Sequence, residues 1–149
     1  MAVRPYQPSD FAGVCRVYLD AKRSELQFEA GPFDFVPLER DDALLAAFNE
    51  SDVIVYDGDG VSGFAASSGG QLRALFVHGE ARGRGVGQAL LDAVIRRAQG
   101  EVGLHVACSN AGAIRFYEKN GFSRAGESVR RYGGADVVYA RMVRPPTLR

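Results

Sequence analysis

The sequence predicts one α/β (α+β) domain: a mixed sheet of about seven strands with helices on its faces. Three observations lead there. Short β-like runs and amphipathic helical stretches follow one another in the order β-α-α-β-β-β-α-β-α-β-β, so strands and helices interleave instead of segregating. Glycine, proline, asparagine and aspartate punctuate the runs where turns are required. The 149 residues, 46% apolar and 24% charged, suffice to bury roughly 70% of the unfolded surface without disulfide or metal staples, which implies a single domain over 1–149.

A short strand at 2–5 comes first. Ser9 or Asp10 then offers a cap to a helix whose apolar positions Phe11, Val14, Val17, Tyr18 and Ala21 recur at three and four, ending near Glu25. The stretch 28–37 contains Gly31, Pro32 and Pro37 and reads as a loop before a second helix at 38–49. Runs at 52–56 and 61–67 flank Asp57-Gly58-Asp59-Gly60, a strong hairpin signal. After a Ser67-Ser68-Gly69-Gly70 turn, the run 72–77 alternates so that Leu72, Ala74 and Phe76 share one face. A helix of about fourteen residues follows a glycine-rich loop, with Val86, Leu90, Ala93 and Val94 in register and Gly100 past its end. A strand at 102–108, a short helix from an Asn110 cap to Gly121, and strands at 122–131 and 137–143 complete the chain.

Composition excludes several classes. Eighteen basic and eighteen acidic side chains cancel, which argues against nonspecific nucleic-acid or membrane binding. No apolar run approaches a membrane span and residues 1–10 lack a signal core, so the expected location is the cytoplasm. Cys15 and Cys108 are too few for a disulfide framework and are read as buried free thiols, with no metal site. Beneath the neutral total, residues 1–72 hold 5 basic and 12 acidic groups and residues 73–149 hold 13 and 6. Either the halves solvate one another in space, or an anionic ligand sits on the second half and a cationic one near the first.

The segment Arg82-Gly83-Arg84-Gly85-Val86-Gly87 lies between a strand and an amphipathic helix. Glycines let backbone approach a ligand there, and the unpaired N–H groups of a helix start attract anions. A Walker loop needs Gly-Lys-Ser/Thr, which is absent; a dinucleotide fingerprint needs a third glycine where Gln88 stands. A plain corner-turning loop is the remaining alternative.

Arg82-x-x-Gly85-x-Gly87, with Ala74-Leu75-Phe76-Val77 before it and Gln88-Ala89-Leu90-Leu91 after it, resembles the acyl-CoA loop of the GNAT superfamily of N-acyltransferases. About thirty residues on, Asn110-Ala111-Gly112-Ala113-Ile114-Arg115-Phe116-Tyr117-Glu118-Lys119-Asn120-Gly121-Phe122 is similar to that family's second signature. The likeness is close over 72–124 and is strongest to the small bacterial YjaB-like branch. It implies a mostly antiparallel GNAT-type sheet in which two parallel strands, 72–77 and 102–108, splay around acetyl-CoA. The backbone of Leu75, Phe76 and Val77 would pair with the pantetheine amides. Arg82, Gly83, Arg84, Gly85, Val86, Gly87 and Gln88 would hold the pyrophosphate. Asn110 would bond the pantetheine, and Tyr117 would stand beside the thioester sulfur, unless it is only a core aromatic of its helix. Monomer and homodimer both stay open, and no metal is implied.

Amide formation sets a proton problem. A lysine-like amine with pKa near 10.4 is about 99.9% protonated at pH 7, a deficit of roughly 4.6 kcal/mol for its nucleophilic form. Its proton needs an acceptor and the leaving thiolate needs a donor, while a backbone N–H on the splayed strand would stabilise the oxyanion. The resemblance makes Tyr117 the donor. His105 lies twelve residues before Tyr117, where family members that acetylate ribosomal-protein N-termini place a glutamate, and is the expected base; a structural strand histidine is the alternative. Glu25, Glu29 and Asp34 are further base candidates. His78 stands where the family commonly has Asp before Pro and reads as structural. The acidic stretch 25–42, with Phe28, Phe33 and Phe35, reads as a lid favouring a cationic or amino acceptor, or as a solvated loop. The implied function is N-acetyl transfer from acetyl-CoA to a primary amine in a ternary complex; the competing classes are a noncatalytic acyl-CoA sensor and an interaction protein that binds no nucleotide.

Overall fold

A glutamine and a proline open the first turn: Pro8 fixes the backbone of a 3-10 turn, Pro8–Asp10, between strand β1 (Ala2–Pro5) and helix α1 (Phe11–Glu25). The computed structural model describes residues 2–146; the ends of the expected 1–149 domain, residues 1 and 147–149, lie outside them. Asp10 sits in the right-handed helical region, φ −84°, and its carboxylate turns back to accept from the Gln7 N–H at 2.8 Å and from Arg4 at 2.9 Å. It therefore closes the turn ahead of α1, and neither it nor Ser9 caps that helix through its side chain, contrary to the sequence expectation. The Arg4 guanidinium holds the Asp10 carboxyl below its ordinary range.

The second helix starts later than its apolar pattern suggests. Residues Leu38–Arg40 form a 3-10 turn, Asp41 is extended, and its carboxylate accepts from the Leu44 N–H at 3.1 Å to cap α2 (Asp42–Glu50). Strands β2 (Asp52–Gly58), β3 (Gly60–Ser68) and β4 (Gln71–Val77) form an antiparallel meander around the expected hairpin. Then come α3 (Val86–Ala98), β5 (Val102–Ala107), α4 (Ala111–Lys119), β6 (Ser123–Tyr132) and β7 (Ala135–Arg144). Helix α3 ends on Gln99 at φ +55°, so Gln99, not Gly100, takes the left-handed terminating position.

The seven strands lie in the order β1-β2-β3-β4-β5-β7-β6, and β4 with β5 is the one parallel pair among them. Helices α3 and α4 pack on one face over Leu90, Leu91, Val94, Leu104, Val106, Ile114 and Met142. Helices α1 and α2 cover the other over Val14, Val17, Phe48, Val55 and Phe64. Each fully buried side chain of that size contributes about 1.5–3 kcal/mol, and burial of the central strands on both faces fixes their register, while the edge strand β6 is largely exposed. Leu26, Ala107, Val137 and Tyr139 form a smaller cluster with Phe33, Phe35 and Tyr132.

Two details correct the sequence reading. In β4 the pairing with β3 skips Arg73, which sits in a bulge, so Leu72 joins the α3–α4 core while Ala74 and Phe76 face α1 and α2. Strict alternation had put the three on one face. Cys15 and Cys108 are free but half-buried, because each lies at the edge of its cluster. No helix of the described residues is long and apolar enough to cross a membrane.

Candidate functional site

The parallel ladder between β4 and β5 is two pairs long. Gln71 lies opposite Gly103 and Leu72 opposite Leu104; the bulge at Arg73 then turns β4 away and the strands part. His78 donates to Ser62 of β3 at 2.9 Å, so by alternation along the strand the peptide groups of Leu75 and Val77 point the other way, into the gap. Phe76 directs its peptide to β3 and its ring against Tyr18 and Phe64, at centroid distances of 5.6 and 5.8 Å. The gap opens into a cleft of about 1260 Å³ that passes through the sheet from the α3–α4 side to the α1–α2 side.

At the α3 end the glycines do what other residues resist. Gly83 and Gly85 both have φ +79°, and a side chain at either would meet open space, so backbone conformation is the reason for glycine there. Gly85 is the residue before α3. Ala89 makes the first intrahelical bond, to the Gly85 carbonyl at 3.0 Å, which leaves the N–H groups of Val86, Gly87 and Gln88 as the helix's free donors. The Val86 side chain is buried in the core. Arg82 is braced: its guanidinium donates to Ser24 Oγ at 2.8 Å and to the Val77 carbonyl at 3.2 Å. Gln88 ties α3 to the end of α4 through Asn120 at 2.7 Å and also donates to Asp92 at 2.9 Å. Arg84 is exposed and, unlike Arg82 and Gly83, does not line the cleft.

Asn110 caps α4 by accepting from the Ala113 N–H at 3.3 Å, which leaves its side-chain amide NH2 available to the cleft that it lines. Tyr117 is nine-tenths buried, its ring edge-on to Phe116 at 5.3 Å and Phe122 at 5.5 Å. Burial and the nearby Glu25 charge push its hydroxyl well above the ordinary tyrosine range, so it is a phenol, not a phenolate, at pH 7.

On the α1–α2 side the sequence missed the central feature. Lys22 and Glu25, one turn apart on α1, pair at 3.1 Å with side chains only 12% and 14% exposed. Tyr139 of β7 donates to Glu25 Oε2 at 3.3 Å, and the Lys22 ammonium stands 4.6 Å from the Tyr132 ring centroid. Burial alone lowers the Lys22 pKa, but Glu25 and Tyr139 more than offset it and the net shift is upward. The i,i+3 spacing was visible; the tyrosines more than a hundred residues away were not. His105, half-buried, lines the cleft with its Nε2 3.3 Å from an Arg130 guanidinium nitrogen. Burial first, then the charges of Arg130 and Arg141, lower its pKa, so it is neutral at pH 7 and Nε2 is the acceptor.

The expected lid, 25–42, reaches the cleft through Glu25, Gln27 and Asp41, while its middle packs on the β6–β7 hairpin. Phe33 and Phe35 pack on Tyr132, Asp34 donates its N–H to the Gly133 carbonyl at 2.9 Å, and the segment braces the β6–β7 turn. Among the described residues lining the cleft, Glu25 and Asp41 are present while Glu29 and Asp34 are not. His78 accepts from the Glu80 N–H at 3.2 Å and caps a 3-10 turn, Gly79–Ala81. Among the described residues, no group of three or more His, Cys, Asp and Glu side chains is placed to hold a metal ion.

The acetyltransferase (GNAT) domain model matches residues 44–124. The peptidyl-lysine N-acetyltransferase YjaB of Salmonella typhimurium is 36% identical over 76 residues, 51% of this chain and 52% of the relative, so the chain spans about half the length of the curated relative it matches. In fold, it superposes on a GCN5-related N-acetyltransferase from Rhodopseudomonas palustris with a TM-score of 0.80 at 21% identity, covering 97% of this chain and 94% of that one. It also superposes on a GNAT superfamily phosphinothricin acetyltransferase from Sinorhizobium meliloti in complex with acetyl-CoA, with a TM-score of 0.72 at 20% identity, covering 97% and 88%.

Proposed function

The chain belongs to the GNAT acetyltransferase family, and from that premise we propose that it transfers acetyl from acetyl-CoA to a primary amine by direct attack in a ternary complex. The observation behind this reading is the parted β4–β5 pair, whose inward peptide groups lead to the free amides of α3. Acetyl-CoA supplies a thioester whose acyl carbon is open to a nitrogen nucleophile. The N–H groups of Val86, Gly87 and Gln88 hold the diphosphate, helped by a helix dipole worth about 0.3–1 kcal/mol per favourable charge. The peptide groups of Leu75 and Val77 take the pantetheine amides as an added strand takes a ladder, and the Asn110 side chain donates to the same arm. Arg82 acts here by bracing the loop against α1 and β4 rather than by touching phosphate.

Tyr117, which lines the cleft, is the proton donor to the departing sulfur, its hydroxyl being protonated at neutral pH as any tyrosine's is. Glu25 is the proton acceptor for the incoming ammonium group: Lys22 and Tyr139 occupy Oε2 and Oε1 is left for the substrate. His105 is the second reading for that role, favoured by its neutral ring, and requires Arg130 to leave Nε2. The test is thiol release from acetyl-CoA against a panel of amines and peptides. Wild-type turnover that falls by roughly 10²–10⁴ in Tyr117→Phe, with acetyl-CoA affinity kept, agrees with the reading; acetyl-CoA binding without turnover on any amine makes the protein an acyl-CoA sensor instead.

A further inference from the structure

The acceptor arm of the cleft lies between α2, the start of the β4–β5 gap and the β6–β7 hairpin, and its charges do not match an acidic lid. Its acids are engaged. Glu25 is paired with Lys22, and the Asp41 carboxylate caps α2. Among its cations Arg131 is paired with Asp136 at 3.1 Å. Two arginines are left. Arg73, thrown outward by the bulge, donates among the described residues to the Ala47 carbonyl at 3.2 Å and Ser51 Oγ at 3.3 Å. Arg130, on the opposite wall, touches the neutral His105 ring. Both line the cleft, both are exposed, and among the described residues neither meets a carboxylate. An exposed guanidinium with neutral partners keeps its fork of donors for a planar anion.

We propose that the acceptor carries a carboxylate beside its amine, and that Arg130 and Arg73 hold that carboxylate above His105 while the amine reaches Glu25. The inference rests on the acetyltransferase reading and names its substrate class as amino acids or peptides presenting a free carboxylate near the reacting nitrogen. Of the acids in the stretch 25–42, the two that line the cleft, Glu25 and Asp41, are already engaged, and Glu29, Asp34, Glu39 and Asp42 do not line it.

The experiment is thiol release with L-amino acids and with lysine-bearing tetrapeptides, each supplied as the free acid and as its C-terminal amide. The wild-type protein is expected to prefer the acids at least tenfold in kcat/KM, mostly through KM, and the acid-to-amide ratio is expected to fall toward one in Arg130→Gln and in Arg73→Gln. Melting temperature and acetyl-CoA affinity verify that each variant is folded. Amides used as well as acids by the wild type, or a ratio that survives both substitutions, overturns the inference and leaves the acetyltransferase reading standing. Acetyl-CoA binding with no thiol release from any acceptor overturns both.

Discussion

Leu72 of β4 and Leu104 of β5 form the last pair of a two-rung parallel ladder, and the next residue, Arg73, is the bulge that turns β4 away. One inserted residue thus does two things. It unpairs the inner edge of β4, where Leu75 and Val77 present their peptide groups, and it aims an arginine at the α2 side. A bulge that bends a strand beside a cleft is a structural investment with a functional use.

Gly87 separates folding from ligand binding. A Cβ there would meet Val77 Cγ2 at 3.6 Å and Phe116 Cζ at 3.9 Å, ordinary contacts. Gly87→Ala at the start of α3 is expected to stabilise the protein by about 0.4–1 kcal/mol and yet to weaken coenzyme A binding, because the methyl group enters the cleft beside Val77 and Phe116 next to the proposed diphosphate amides. Thermal melts and calorimetric titration measure the two effects; unchanged affinity would count against the amide cradle.

Tyr117→Phe keeps the ring that packs on Phe116 and Phe122 and removes only the hydroxyl. Turnover is expected to fall about 10²–10⁴-fold with acetyl-CoA affinity nearly unchanged. Glu25→Gln keeps hydrogen-bonding capacity toward Tyr139 but ends proton acceptance, so kcat/KM falls. Turnover kept in Glu25→Gln but lost in His105→Gln assigns the base to His105.

His105 is a reporter of the acceptor arm. Its pKa is lowered by burial and then by Arg130 and Arg141, so the neutral ring stabilises the fold above the ordinary histidine value, and that contribution is lost as pH falls through the folded value. Removing one charge in Arg130→Gln is expected to move the imidazole titration part of the way up toward about 6.5, the remainder being burial and the Arg141 charge. Imidazole NMR shifts followed against pH measure this; no movement contradicts the Arg130 contact.

Gln99 ends α3 in the left-handed region, a conformation that costs a side-chain-bearing residue roughly 1–2 kcal/mol. Gln99→Gly is expected to stabilise the protein by somewhat less, since glycine also loses more chain entropy, without altering acetyl-CoA affinity. Chemical denaturation measures the gain.

Much of this architecture was legible from local chemistry. The Asp57-Gly58-Asp59-Gly60 turn, the Asn110 cap and the left-handed Gly83 and Gly85 act through neighbours a few residues away, so their letters suffice. The element order follows from the same local signals. What stayed hidden depends on distant partners. Asp10 looks like a helix cap until Arg4 and Gln7 claim its carboxylate. Leu72 shares the spacing of Ala74 and Phe76, and only pairing with β3 reveals the skipped residue between them. Glu25 was one acid among several until β7 brought Tyr139 to it across 114 positions. Glu29 and Asp34 read as lid acids with Glu25 and Asp41, but Phe33 and Phe35 packed on Tyr132 and carried the middle of the segment to the hairpin turn, leaving only Glu25 and Asp41 of these four in the cleft.

The most direct measurement is a titration of the uniformly 15N-labelled protein with coenzyme A, following backbone amides by NMR. The account predicts that the largest shifts fall on Val86, Gly87 and Gln88 at the start of α3 and on Leu75 and Val77 along the unpaired edge of β4. Coenzyme A that leaves those five amides in place, whether by not binding or by perturbing a different surface, contradicts it.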